Sequence, residues 1–152
     1  MLTIREAVLN DLNYIYDLYT NHLTKSPKAP PENMRDINKW SDLLEKLIAD
    51  SDYYLLVGEV DGNVVSSVTI IIIKNLTHNL RPYALIENVV THESFRNKGY
   101  ASALIDYACE IAKNNGCYKV MLMTGSKKES TLKFYENCGF NRNDKTGFIK
   151  WL

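Results

Sequence analysis

The chain has 152 residues, 45% hydrophobic and 24% charged, a balance that supplies the core of one domain over residues 1–152 and excludes general disorder. Its 18 basic and 18 acidic residues cancel, which excludes the one-signed field that recruits nucleic acid or anionic membrane. Cys109, Cys117 and Cys138 lack CxxC spacing and His22, His78 and His92 lack HExxH spacing, so neither a disulfide framework nor a bound metal is expected.

In chain order, Leu2, Ile4, Ala7 and Val8 suggest a first strand. Asn10 or Asp11 then caps a helix with Leu12, Ile15, Tyr16 and Tyr19 on one side. Ser26-Pro27-Lys28-Ala29-Pro30-Pro31 reads as a loop, because its prolines fix φ and remove donors. A second helix carries Ile37, Trp40, Leu43, Leu44, Leu47 and Ile48 at helical spacing. Tyr53 to Val60 and Val64 to Ile73 flank Asp61-Gly62-Asn63, a hairpin signal. The unbroken Ile70–Ile73 block is expected of a strand covered on both faces. A further strand spans Tyr83 to Thr91.

From Gly99 the period becomes helical through Ala101, Leu104, Ile105, Ala108, Ile111 and Ala112, ending at Asn115-Gly116. Cys117 to Met123 reads as a strand. Ser126-Lys127-Lys128-Glu129 has the form of a capping box opening a helix through Cys138, with Gly139 at the left-handed stop and Phe140 folding back onto Phe134 or Tyr135. A last strand is expected over Thr146 to Trp151. The order β-α-α-β-β-β-α-β-α-β describes an α/β domain with a mixed sheet. Met1 to Glu6 lacks the layout of a signal peptide and no apolar run is long enough for a bilayer, so a cytoplasmic location is expected.

Arg96-Asn97-Lys98-Gly99-Tyr100-Ala101 lies between a strand and a helix. The first turn of a helix leaves backbone N–H groups unpaired and carries positive potential, so a loop entering it can wrap a pyrophosphate. Gly99 permits close approach, Ala101 keeps the turn narrow, and Arg96 and Lys98 add charged donors. The plainer reading is an ordinary strand-to-helix connection; neither a Walker nor a GxGxxG pattern is present.

That loop resembles the (Q/R)xxGx(G/A) signature of the GNAT superfamily of N-acetyltransferases. Phe134-Tyr135-Glu136-Asn137-Cys138-Gly139-Phe140 resembles the family's second motif, FYxxxGF, in the right order and separation. The resemblance implies a GNAT-like acyl-CoA N-acyltransferase fold, and acetyl-CoA as co-substrate held by Arg96 to Ala101 and Ser102. It further implies a bulged strand that splays from its parallel neighbour to make a slot for the pantetheine arm. Val89, Val90 and Thr91 would offer main-chain bonds there, with the Val89 N–H polarising the thioester carbonyl. Lys128 stands where many members carry an Asn that contacts the cofactor, and Ala101 where Gly is commoner.

The implied reaction moves an acetyl group to a primary amine by direct transfer in a ternary complex. Tyr135 is implied as the acid that protonates the departing thiolate. Glu87 interrupts an apolar strand, where an unpaired carboxylate is costly, and is the candidate base; some family members carry a similar Ile-Glu-Asp run. The competing reading pairs Glu87 with a buried cation. Asn88 would orient the substrate or a water, with Arg81 and Tyr83 as further acceptor candidates. Strand alternation sends the Glu87 and Asn88 side chains opposite ways unless a bulge intervenes. No cysteine has a His partner for a covalent route. The partner is a small-molecule or peptide amine, with neither nucleic acid nor membrane expected and a homodimer left open. The alternative function is a non-catalytic acyl-CoA-binding regulatory or interaction module.

Overall fold

A computed structural model describes residues 1–23 and 36–152. The expected proline-rich loop at 26–31 lies outside them. Five strands form one sheet in the order β1-β2-β3-β4-β5: β1 Leu2–Glu6, β2 Tyr53–Val60, β3 Asn63–Ile73, β4 Tyr83–Thr91 and β5 Val120–Leu122. The first four pair antiparallel in sequence order, and β5 joins β4 in parallel. The helices are α1 Leu12–Asp17, α2 Ile37–Ala49, α3 Tyr100–Asn114 and α4 Glu129–Asn137.

The β2–β3 turn needs φ > 0 at both central residues, and Asp61 (φ 51°) and Gly62 (φ 78°) supply it. The pleat then divides the sheet's side chains between two cores. Leu56, Val68, Ile70 and Ile86 pack under Leu104, Ile105 and Ala108 of α3. On the other face Leu55, Val57, Val64 and Val90 meet Ile15, Leu18 and Leu44. The sheet is therefore covered on both sides, as the Ile70–Ile73 run requires.

Helix ends follow from local chemistry. At the end of α3, Gly116 (φ 73°) lets its own N–H reach the Lys113 carbonyl while the Cys117 N–H reaches Ala112. At the other side of the sheet, Asp11 does not cap α1 through its side chain. Its buried carboxylate accepts the Val8 N–H and two bonds from Arg5, at 2.7 and 2.9 Å. Burial alone would raise the Asp11 pKa, but Arg5 and the Val8 amide outweigh it and the net shift is downward.

Four expectations fail in detail. The first helix does not run regularly through Tyr19; it leaves the α form after Asp17 and continues as one π-helical stretch, Leu18–His22. The strand expected over Cys117–Met123 shortens to Val120–Leu122, because the Cys117 and Tyr118 amides bond to Ala112 and Pro82 instead. The capping box at Ser126 does not form. Lys128 is the residue before α4, and the Ser126 hydroxyl instead accepts the Lys128 N–H and bonds to Thr131.

Finally, Thr146–Trp151 is not a strand. The segment passes β5 so closely that a Cβ on Gly147 would sit 3.3 Å from the Met123 sulfur, but no ladder forms. A three-residue β5 offers too short an edge, and alternation buries neither face of the segment: Phe148, Ile149 and Trp151 all stay exposed.

Candidate active site

β4 pairs with β5 only at Ala84, Leu85 and Ile86, although β4 continues to Thr91. Beyond Ile86 its outer edge has no strand partner among the described residues, and a cavity of about 630 Å³ opens between the separated strands. The walls include Glu87 to Thr91 from β4, Thr124 to Lys128 from the loop after β5, and Thr131 and Tyr135 from α4. Loss of ladder bonds on one strand edge leaves main-chain donors and acceptors available to an extended ligand.

A bulge sets the directions of the side chains. Ser67 lies opposite Val90 and Thr69 opposite Glu87, so one extra residue has entered β4. Asn88, with φ 54°, is in the left-handed region at this point, a conformation Asn tolerates better than most residues. Alternation is broken there: Ile86 and Val89 both pack on the α3 core, while Val90 packs on the opposite one. Glu87 and Asn88 consequently line the same cavity instead of pointing to opposite faces.

Among the described residues, no cation pairs with Glu87. Burial pushes its carboxyl above the usual carboxylate range with no neighbouring charge to offset it. The Tyr135 phenol is pushed up as well, by burial first and then by Cys138 and Glu87, so it keeps its proton at neutral pH. One wall thus presents a carboxyl adjusted toward proton acceptance and the other a phenol holding a proton to give.

Tyr135 is held by the end of its own helix. The Gly139 N–H donates to the Glu136 carbonyl at 2.9 Å, and the Phe140 N–H to the Tyr135 carbonyl at 3.1 Å. Gly139 makes this possible at φ 89°, and the Phe140 ring packs edge-on against Tyr135 with centroids 6.4 Å apart. The residue spacing of the FYxxxGF run is therefore the spacing of a helix stop that fixes the tyrosine. The Cys138 thiol contacts the Ser102 hydroxyl at 3.6 Å, tying this stop to the first turn of α3.

The loop before α3 contains two left-handed residues, Asn97 (φ 61°) and Gly99 (φ 79°). Gly99 at the N-cap of α3 supplies no side-chain cap, so among the described residues its first-turn amides lack that partner. Arg96 lines the cavity, but two of its donors are spent on the chain: Nε reaches the Thr91 carbonyl at 3.1 Å and Nη2 the His22 carbonyl at 3.0 Å. Asn97 to Ser102 lie outside the cavity lining, and Lys98 rests over the Phe95 ring at 4.9 Å. Lys128 lines the cavity, joined by Lys127.

Two acceptor candidates sit elsewhere. Arg81 donates to the Gly116 and Cys117 carbonyls, stapling the α3–β5 connection, and Tyr83 packs near Tyr118 under Lys119. Neither lines the cavity. Sequence reading missed Lys127, Ser126, Thr131 and His22, all of which do. His22 lies on the π-helical stretch, and such departures mark functional sites often enough to have been a signal had the sequence shown it. His22 also packs against His92, the rings tilted by 41° with centroids 4.1 Å apart, and with Asp17 the two bring ligand-type atoms within 4.8 Å of one another.

All three thiols are pushed up, with burial the leading cause at Cys109, Cys117 and Cys138 alike, and a thiol held in its protonated form is a poor nucleophile.

Comparison with known proteins gives a consistent picture. The family model described as "Acetyltransferase (GNAT) family" matches residues 12–140. A glucosamine 6-phosphate N-acetyltransferase from Trypanosoma brucei brucei is 30% identical over 147 residues, 95% of this chain and 92% of that protein. Among solved structures, a putative acetyltransferase from Agrobacterium tumefaciens is 35% identical and superimposes with a TM-score of 0.84, covering 99% of both chains. Glucosamine-6-phosphate N-acetyltransferase from Arabidopsis thaliana shares the fold at 22% identity, with a TM-score of 0.82 over 99% of this chain and 98% of that one. With the two motifs, the divided sheet and these matches in agreement, the chain belongs to the GNAT family of acetyltransferases.

Proposed function

We propose that this protein transfers the acetyl group of acetyl-CoA to a primary amine by direct attack in a ternary complex. The observation that carries the reading is the free outer edge of β4 beyond Ile86, opening into a cavity that also holds Glu87 and Tyr135.

The acyl-pantetheine arm lies along Val89, Val90 and Thr91, and the Val89 N–H polarises the thioester carbonyl, stabilising the oxyanion as the amine attacks. The pyrophosphate sits toward the uncapped start of α3, reached by the Arg96–Ser102 segment, with Lys128 adding charge. An amine substrate arrives as ammonium, and Glu87, directly or through a water, accepts its proton. The nitrogen attacks the carbonyl carbon, the new C–N bond forms, and the C–S bond breaks as the tetrahedral intermediate collapses. Two protons leave the nitrogen overall. One balances the proton that Tyr135 gives to the thiolate, and the other passes to solvent through Glu87. Asn88, beside Glu87, orients the incoming amine.

The test is thioester consumption across a panel of amines with mass detection of the acetylated products. Product formation supports catalysis; acetyl-CoA binding with no product from any amine would favour a regulatory module. A stable acetyl-enzyme formed without acceptor would overturn direct transfer.

A further inference from the structure

A second cavity, of about 370 Å³, lies between α1, α2 and the sheet. Its walls are apolar and aromatic: Trp40, Leu44 and Leu47 from α2, with Tyr53 and Leu55 from β2. Asn88 lines this cavity and the larger one alike. A molecule filling the second cavity thus has one end beside Asn88 and its chain neighbour Glu87. Asn88, turned out of the strand's alternation by the bulge, stands between the two spaces.

Among the described residues, the polar groups around this cavity are few and largely committed. Asp36 and Lys39 are its charged liners; they stand 3.7 Å apart, with the Lys39 side chain 81% exposed, and offset each other at the rim. The Tyr19 hydroxyl is engaged with Ser67 and Thr69 at 3.4 Å each. A sugar or phosphate placed here would surrender its hydration without matching partners among the described residues, whereas an apolar body gains by leaving water. Trp40 presents a rigid aromatic surface, itself braced edge-on by Tyr16 with centroids 4.9 Å apart.

From this arrangement we infer that the acceptor is a primary amine carried on an aryl or branched-alkyl body, seated between α2 and β2 with its nitrogen at Asn88. The inference rests on the proposed acetyl transfer and names its substrate class. It also separates this chain from relatives named for glucosamine 6-phosphate.

The test compares 2-phenylethylamine and 3-methylbutylamine with ethanolamine and glucosamine 6-phosphate, by acetyl-CoA consumption and, independently, by calorimetric titration of each amine. The expected result is a kcat/KM for the apolar amines at least tenfold above both polar ones. Leu43 lines the cavity but is 56% exposed, so Leu43→Lys can be made without emptying the core. That variant should raise KM for 2-phenylethylamine at least fivefold and leave KM for acetyl-CoA unchanged.

Preference for glucosamine 6-phosphate, or an unmoved KM in Leu43→Lys, overturns the inference while leaving acetyl transfer intact. Binding of 2-phenylethylamine that weakens in Leu43→Lys, with no amine acetylated, supports the cavity assignment and refutes the catalytic reading. No binding and no turnover of the apolar amines overturns the inference.

Discussion

Replacing Gly139 by alanine isolates the device that holds Tyr135. At φ 89° an L-residue clashes with its own backbone, at a cost of about 1–2 kcal/mol. Nothing lies within 4 Å of the added Cβ, so no tertiary clash adds to this. The chain could escape by abandoning the helix stop. It would then lose two hydrogen bonds, at about 0.5–1.5 kcal/mol each, and the Tyr135–Phe140 ring contact, about 0.5–1.5 kcal/mol more. Retaining the motif is therefore the cheaper course on most of this range. The expected outcome is a melting temperature lower by about 2–8 °C, taking 2–4 °C per kcal/mol for a chain of this size. Turnover should remain within a few-fold below that temperature, since Tyr135 keeps its place. Calorimetric melting and steady-state kinetics on one preparation check both. An unchanged melting temperature would show that Gly139 carries no conformational load. A collapse of kcat with stability intact would show that Tyr135 depends on something other than this stop.

Tyr135→Phe removes the proposed acid while keeping the ring; kcat should fall by about 10²-fold with acetyl-CoA affinity unchanged by calorimetry, and unaltered turnover would remove Tyr135 from the mechanism. Glu87→Gln should lower kcat/KM and abolish the acid limb of its pH profile, a limb expected above the ordinary carboxylate range because burial raises this group. Since the folded value of Glu87 lies above the unfolded one, its contribution to stability is complete at acid pH and lost as pH rises through the folded value. Glu87→Gln should therefore melt higher than the parent near pH 7 and match it near pH 4, a pattern that melting curves at the two pH values would confirm or refute. Asp11→Asn breaks the bidentate pair with the part-exposed Arg5 and should cost about 1.5–3 kcal/mol in denaturant titration. The Asp11 shift is downward, so its contribution is present above the unfolded carboxylate pKa and lost as pH falls through the folded value; a parent–variant gap that fails to narrow as pH is lowered below the ordinary carboxylate range would contradict this.

The parts of the fold that were legible in the sequence are those whose cause is local. Asp61-Gly62 dictates its turn by φ alone, Gly116 and Gly139 stop their helices, and the Ile70–Ile73 run announces a doubly covered strand. The bulge at Asn88 was implied by family resemblance, but its effect on Glu87 was not readable, because the left-handed Asn88 emerges only when β3 and β4 are paired. Lys127 and Ser126 were read only as part of a capping box, because their segment becomes a cavity wall only where the β4–β5 pairing ends. Arg81 misled in the opposite direction. A lone arginine in a loop looks free in one dimension, and here it binds the carbonyls of residues 35 and 36 positions away.

The early end of the β4–β5 ladder has a consequence for how such a protein can change. What the gap exposes is main chain, and every residue type except proline brings the same N–H and carbonyl to it. Substitutions such as Val89→Ile or Thr91→Val leave that surface chemically as it was. The space beneath α2 is written in side chains instead, so a handful of replacements at positions such as Leu43 or Leu47 would remodel it. One region of this molecule is thus buffered against drift, and its neighbour is open to rapid retuning, with a single bulged asparagine as the border between them.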